Sequence, residues 1–537
     1  MQRTRRELIA GATALAGLAA VPPAWAGRLL QSDPRLGPGR FADSVASGDP
    51  SPTEISLWSR LTTDRPRSGA RVIVARDPGL RDVVATAIVP TGAAMGHCLK
   101  TRIGGLEPGT VYHYAWESGD DVSPVGRTRT ANPADSRERI SLAVNSCQNF
   151  DEGYFTGHTH AAAQPLHDLV LFTGDYTYET DGGAGTDRAD PIDSNDIGSY
   201  REKLRLYRTD AGLRELHRLH PCAHIWDDHE VANDYTDNAP APSPLQRAAA
   251  YRASFEWLPR MTFPEDRFRI YKPLPLGRTV EVLTLDERQY RIGPGDRDDQ
   301  RYRPFLGRTQ LDWLKDRLAR AQAAGTTWKV LANQHPVEPL SPANQTGAQD
   351  DEWEGFQAER RELLTFIRDA GIKGVVFVTG DIHVFIASEL SPGFGPAERS
   401  VAVDYVCGSI TSNGDIAGEP PEADLEPGVR AFNPYVKQFE NRVRGYGALD
   451  LTDERLVTEY RSGPIDRPDA EVKVIERFTQ QAGEAVFDRE SNPRQRAGQA
   501  RVAARAAREA GQIERVRRKR SRRARRRRAS VAAAQRS

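Results

Sequence analysis

The chain has 537 residues, enough for one large core or for two to three units at roughly 100 to 200 residues each. With 38% hydrophobic and 28% charged residues, it is neither a membrane bundle nor a chain too polar to fold. Residues 501–537 hold 15 Lys and Arg against Glu509 and Glu514, a local charge of +13 in a chain whose formal net is +0, so the remaining 500 residues carry −13. An acidic body suits bound cations and opposes nucleic acid, whereas the tail alone attracts polyanions.

Residues 1–26 read as an export signal. Thr4-Arg5-Arg6-Glu7-Leu8-Ile9 places twin arginines before a short apolar run, Ile9 to Val21, and Ala24-Trp25-Ala26 offers a cleavage site. The run is too short and too rich in Gly and Ala for a membrane span of about 20 apolar residues. A secreted, cell-wall-associated or periplasmic protein carried by the twin-arginine machinery is expected. The four cysteines, Cys98, Cys147, Cys222 and Cys407, are too scattered for a disulfide framework and show no CxxC spacing.

Residues 41–131 alternate short apolar runs with turns: Ile55 to Trp58, Arg71 to Val74, Val83 to Val89 and Val111 to Trp116. Leu106-Glu107-Pro108-Gly109-Thr110 leads into a Tyr-bearing strand, the pattern of a small immunoglobulin- or fibronectin-like sandwich. After a linker at Asn132 to Asp135, residues 139–465 alternate apolar strands with helical stretches. The strands are Ile140 to Asn145, Leu169 to Thr173, Ala223 to Trp226, Val280 to Leu285, Lys329 to Ala332 and Val375 to Thr379, and the helices include Gln310 to Ala323 and Ala358 to Asp369. This predicts an α/β layered domain, in which polar residues just past the strand ends gather at one rim. Residues 466–495 form a C-terminal extension. Residues 496–537, dense in Arg and Ala, read as a frayed helix or disordered tail.

Four strand ends carry ligand-type residues. Thr173-Gly174-Asp175-Tyr176-Thr177-Tyr178 delivers a carboxylate after a tight turn, with a phenol three residues on that suits a hard trivalent metal; a helix-capping Asp with packed Tyr is the plainer reading. Asp227-Asp228-His229-Glu230 with Asn233-Asp234 forms an acidic cluster poorly explained without a cation. Gly380-Asp381-Ile382-His383 sends Asp and His to one side, since residues two apart share a face. Ser146-Cys147-Gln148-Asn149 offers either a thiolate or a structural cysteine.

In this order these motifs, with Trp226-Asp227-Asp228-His229-Glu230, resemble the PhoD-like alkaline phosphatase and phosphodiesterase family, a branch of the calcineurin-like and purple acid phosphatase metallophosphoesterases. Val45-Ala46-Ser47-Gly48-Asp49-Pro50, Leu285-Asp286 with Arg288 to Arg291, and Gly408 to Ser412 support the match. The resemblance implies a four-layer α-β-β-α sandwich behind the small all-β domain. It also implies one Fe3+ held by Cys147, Asp175 and Tyr178 and two Ca2+ at carboxylates and amides including Asp175, Asn233 and Asp381, other divalent metals being possible. Asp228, His229 and His383 match positions that bind metal or phosphate, His229 being a candidate leaving-group acid. Arg288 or Arg291 is either a phosphate clamp or a structural ion pair. Glu287 departs from the family's Asp-Thr-Arg pattern, and His335 stands where relatives often offer another ligand. The function implied is a monomeric hydrolase of phosphate mono- or diesters, including phospholipase D-like substrates, that uses a metal-activated hydroxide. The rival reading is a non-catalytic exported protein of the same metal fold, binding anionic surfaces or polymers. The tail is read as attachment to an anionic polymer or membrane surface, with no specific nucleic acid partner.

Overall fold

A computed structural model describes residues 37, 39–182, 188–237, 241–293, 303–340, 351–393, 398–414 and 424–490. The signal segment, the basic tail and part of the Asp- and Gly-rich insertion after Tyr178 lie outside these residues. Among the described residues no helix is long and apolar enough to cross a membrane.

The strands in chain order are β1 (Val45–Gly48), β2 (Glu54–Arg60), β3 (Arg67–Ala75), β4 (Val83–Gly92), β5 (Cys98–Gly104), β6 (Val111–Glu117), β7 (Gly126–Arg129), β8 (Ile140–Asn145), β9 (Leu169–Thr173), β10 (Pro221–Ile225), β11 (Lys272–Pro275), β12 (Val280–Thr284), β13 (Trp328–Ala332), β14 (Val375–Thr379), β15 (Phe385–Leu390), β16 (Ala402–Cys407), β17 (Val436–Glu440), β18 (Gly445–Leu451), β19 (Arg455–Ser462) and β20 (Lys473–Gln481). A large sheet runs β20-β19-β18-β8-β9-β10-β1-β2-β5, a second runs β11-β12-β13-β14-β16-β15-β17, and a third, antiparallel, runs β4-β3-β6-β7. The first two have parallel centres, β8-β9-β10-β1 and β12-β13-β14-β16.

The two-residue period of the strands builds the layers. In the second sheet Val330, Val376 and Val378 enter the core shared with Leu142, Val144 and Val170 of the large sheet. Leu331, Val375 and Phe377 point the other way, onto Leu311, Leu314 and Leu318 of helix Arg308–Ala323 and Leu363, Leu364 and Ile367 of helix Gln357–Asp369. Helices Thr156–Ala162, Ile197–Tyr207 and Ala211–Leu219 supply Ala161, Leu204, Leu213 and Leu216 to the core around the large sheet. The expected α-β-β-α sandwich is therefore present.

The large sheet draws strands from both flanking segments. The β-rich segment 41–131 is two-layered, with Ile55, Leu57, Leu99 and Ile103 packed on Val72, Val74, Tyr112 and Trp116. One of its layers, β1, β2 and β5, is the edge of the large sheet, because β1 pairs in parallel with β10. The Tyr112 hydroxyl accepts from Glu107 N at 2.9 Å, closing the turn before β6 as the sandwich reading anticipates. At the other end the sheet continues past residue 465: β20 pairs with β19 and fully buries Phe478.

A buried ion pair fastens the two large sheets. Lys272 Nζ, at the start of β11, lies 2.7 Å from Asp49 Oδ2, just after β1, with side-chain exposures of 1% and 0%. Asp49 also accepts Met261 N at 2.5 Å. Removing one partner strands the other charge in the interior, at a cost of about 3–5 kcal/mol. Lys272→Met is expected to lower unfolding free energy by about that much in urea titrations, and adding Asp49→Leu should recover a large part of the loss. If the single variant matched wild type, the pair would have no role in joining the sheets.

Candidate metal centre

The parallel strands of both sheets end at the same rim, and the turns leaving them are tight. Gly174 has φ +120°, and an added Cβ there would sit 2.5 Å from Asp227 Cβ, so only glycine fits between the two loops. Nine non-glycine residues among those described have positive φ, and four of them are Cys147 (54°), Asp175 (53°), Asp381 (67°) and His383 (58°). Such left-handed backbone costs energy and persists where the surroundings enforce it, commonly at functional sites. Here the enforcement includes Cys147 N donating to Gly174 O at 3.2 Å and Gln148 N to Asp175 O at 3.1 Å.

Three ligand groups result, each with its ligand atoms within 4.8 Å of one another: Cys147, Asp175 and His383; Asp175, Asp228 and His229; and Asp227, His335 and Asp381. Asp175 belongs to two of them, the arrangement a bridging carboxylate requires. The Tyr178 hydroxyl joins the first group, 3.1 Å from Asp175 Oδ2 and 3.0 Å from His383 Nε2, and accepts from Ser412 Oγ at 2.7 Å. His383 Nδ1 lies 2.5 Å from Asn413 O. A proton held there leaves Nε2 as the lone-pair nitrogen facing the centre.

The donor set fits a cation. Burial, with Asp175 adding to it, pushes the Cys147 thiol up to about 12, and burial with Asp175 and Cys147 raises Tyr178 well above its ordinary value. A strongly charged metal is what would turn such groups into thiolate and phenolate ligands. Asp175 Oδ1 is buried without a hydrogen-bond partner. In the third group, burial holds the Asp381 carboxyl up at about 6 against the pull of His335 and Arg288.

Arg288 is fully buried among carboxylates. Its Nε pairs with Asp227, its Nη1 with Asp351 Oδ2 at 2.7 Å, and its Nη2 lies 3.4 Å from Asp228 and 3.7 Å from Asp381. Burial opposes ionisation of Asp228, yet Arg288 and His229 hold it down to about 2. Two of the three guanidinium nitrogens of Arg288 are thus committed to the protein. Arg291 is likewise tied to Asp351, at 2.5 Å.

His229 Nδ1 lies 2.8 Å from Glu179 Oε2 and its ring centre 4.2 Å from that of Tyr178. Burial disfavours its charge, but Asp228, Asp175 and Glu179 together raise it to about 10. Asn233, expected as a calcium ligand, is exposed; its side chain donates to Asp234 Oδ2 at 2.7 Å and its backbone to Glu179 at 2.8 Å. In the described part of the insertion after Tyr178, Asp190 is taken by Lys203 at 2.7 Å and Arg188 holds Asp210 at 2.6 Å.

His335 and Asp227, each noted in the sequence without a role of its own, come together in the third group. His335 is fully buried, with Nδ1 2.7 Å from Glu287 Oε2 and Nε2 3.7 Å from Asp227 and 3.6 Å from Asp351. Glu287, the departure from the family pattern, also accepts His335 N at 3.0 Å and Trp353 Nε1 at 2.9 Å. The strand-end rule applied to β13 and Asn333-Gln334-His335 points to the same histidine.

Glu230 joins two of the loops through their backbones. Its carboxylate accepts Asp175 N at 3.1 Å, Tyr176 N at 2.8 Å and Asp227 N at 2.9 Å. Glu230→Ala leaves three buried amides without an acceptor, at about 1–3 kcal/mol each if water does not replace it. A fall in stability together with at least tenfold weaker metal retention is expected. Wild-type stability and metal content in that variant would remove Glu230 from any role in the site.

A family model described as PhoD-like phosphatase matches residues 142–460, and one described as PhoD-like phosphatase, N-terminal domain, matches residues 27–132. Alkaline phosphatase D of Bacillus subtilis (strain 168) is 30% identical over 517 residues, covering 89% of this chain and 87% of that protein. Among solved structures, one titled "Structure of PhoD" superposes with a TM-score of 0.77 at 28% identity, covering 86% of this chain and 94% of that one. A purple acid phosphatase from yellow lupin seeds superposes at 0.54 with 12% identity, covering 81% of this chain and 73% of that one, a likeness of fold. The matched residues span more than half of the chain and include Cys147, Asp175, Tyr178, Asp228, Asp381 and His383: the chain belongs to the PhoD-like phosphatase family.

Proposed function

We propose that the chain is an exported hydrolase of phosphate esters whose centre holds one Fe3+ at Cys147, Asp175 and Tyr178 and Ca2+ at the neighbouring carboxylates. The observation that carries this reading is the sharing of Asp175 between two groups, one with a buried thiol and phenol and the other with the Asp228 carboxylate. Sulfur and phenolate on one side suit a trivalent ion, and carboxylates on the other suit calcium. When bound, the metals would offset phosphate charge and acidify water at the centre.

The chain's own groups supply the rest. With Nδ1 held by Glu179, His229 presents Nε2–H toward a departing oxygen, and its raised affinity keeps that proton in place at neutral pH. Arg288 fixes Asp227 and Asp228 rather than reaching freely for substrate. Ser412, a hydroxyl beside the centre, spends its proton on Tyr178, which supports direct hydrolysis without a phosphoenzyme. Export rests on Arg5-Arg6 and Ala24-Trp25-Ala26, and surface attachment on the Arg515 to Arg528 run.

Metal analysis of the purified chain, paired with hydrolysis of p-nitrophenyl mono- and diesters, tests the centre. About one iron per chain, a visible charge-transfer band and turnover lost on calcium chelation are expected. Tyr178→Phe should abolish the band and reduce turnover at least 100-fold. Full turnover in metal-free protein, or an unchanged band in Tyr178→Phe, would sink the assignment. For export, Arg5→Lys with Arg6→Lys should leave the chain inside the cell; unimpaired secretion would rule out the twin-arginine route.

A further inference from the structure

A second set of buried ligand-type side chains shares no residue with the three groups at the rim. Strand β10 reads Pro221-Cys222-Ala223-His224-Ile225, and its two-residue period sends Cys222 and His224 to one face. Helix Ala211–Leu219 brings His217 to them, so that one nitrogen of each ring and the sulfur all lie within 4.8 Å. All three are buried, at 0%, 0% and 1% exposure for His217, Cys222 and His224.

The rings define the geometry further. His217 and His224 are within 10° of parallel with centres 5.2 Å apart, and Phe172 is parallel to both within 2° and 8°, at 5.1 and 4.7 Å. Parallel rings so close to Phe172 must stack on it, and on opposite faces they would stand roughly 7 Å apart. They therefore lie on the same face, edge to edge and nearly coplanar. Imidazoles meeting in this way are placed to share a proton or a metal. No hydrogen bond joins them: His217 Nε2 engages the Tyr176 hydroxyl at 3.0 Å, while His217 Nδ1 and His224 Nε2 have no partner among the described residues. Two imidazoles on one metal at about 2.0–2.1 Å and a trigonal angle place their centres roughly 5 to 5.5 Å apart.

We propose that His217, Cys222 and His224 form a buried trigonal site for a soft d10 cation, cuprous copper in preference to zinc, separate from the catalytic centre. Burial keeps both imidazoles neutral, the state that ligates a metal. Arg208, Arg260 and Lys272 lie within electrostatic reach of His224, Lys272 being paired with Asp49, while burial holds the Cys222 thiol well above its ordinary value and Arg208 draws it only partly back. In such cationic surroundings a monovalent ion that displaces the thiol proton adds no net charge, whereas a divalent ion adds one. The two-imidazole, one-thiolate set is also the trigonal donor set that suits copper, and thiolate is the soft donor that copper(I) prefers. The Tyr176 contact on the far nitrogen of His217 is the outer-shell bond that orients a ligating imidazole.

The full chain is loaded with copper(I) under reducing conditions against a competing chelator, and in parallel with zinc. One copper per chain beyond the catalytic metals is expected, lost in both Cys222→Ser and His224→Asn, with iron content and ester hydrolysis unchanged. Equal copper in wild type and both variants would overturn the site, and a preference for zinc at these ligands would overturn the choice of ion. Should the variants fail to fold, copper-edge X-ray absorption of wild type decides. Two imidazoles and one sulfur support the site; a shell with one imidazole and carboxylate oxygens, the Cys147 set, refutes it.

Discussion

Everything at the rim depends on one carboxylate that binds no substrate. Glu230 lies three residues past Asp227 and accepts the amides of Asp175, Tyr176 and Asp227, so the loops after β9 and β10 cannot move apart without breaking buried hydrogen bonds. Its charge is itself disfavoured: burial, reinforced by Asp175, holds the carboxyl up at about 8 against the donated amides. That constraint holds Asp175 close to Asp227 and Asp228. Gly174 completes the constraint by letting the two backbones touch.

A second constraint is electrostatic. Asp175, Asp227, Asp228 and Asp381 converge in a region that excludes water, where like charges repel strongly and unpaired carboxylates are costly. Arg288 neutralises part of this from below, and His229 and His335 part from the sides. What remains is negative and soft on one side, with a buried thiol and phenol that hold their protons unless a metal displaces them. The donor chemistry thus differs from one side to the other: sulfur and phenol on one, carboxylates on the next.

The layered architecture explains why these residues can meet at all. Both large sheets have parallel centres, so β8, β9, β10, β12, β13 and β14 all discharge their chain at the same edge. Joining two such sheets face to face doubles the number of loops reaching one place. The Asp49–Lys272 pair joins the two sheets, and the small antiparallel sheet packs on the β2 and β5 flank of the large one.

Local chemistry made much of this legible in the sequence. Strands β8, β9 and β14 are short, largely apolar and almost wholly buried, and their bounds match the predicted strands residue for residue. The residues just past them, Cys147, Asp175, Asp381 and His383, meet at one rim because strand direction dictates where a chain emerges. The sequence could not decide that β1, β2 and β5 extend the large sheet, because partner choice between strands depends on contacts across long separations. Nor could it place His335 beside Asp227, show Arg288 enclosed by acids, or leave Asn233 at the surface. Those outcomes are settled by the packing of two sheets against each other, a balance of burial, charge and hydrogen bonding that no local pattern encodes.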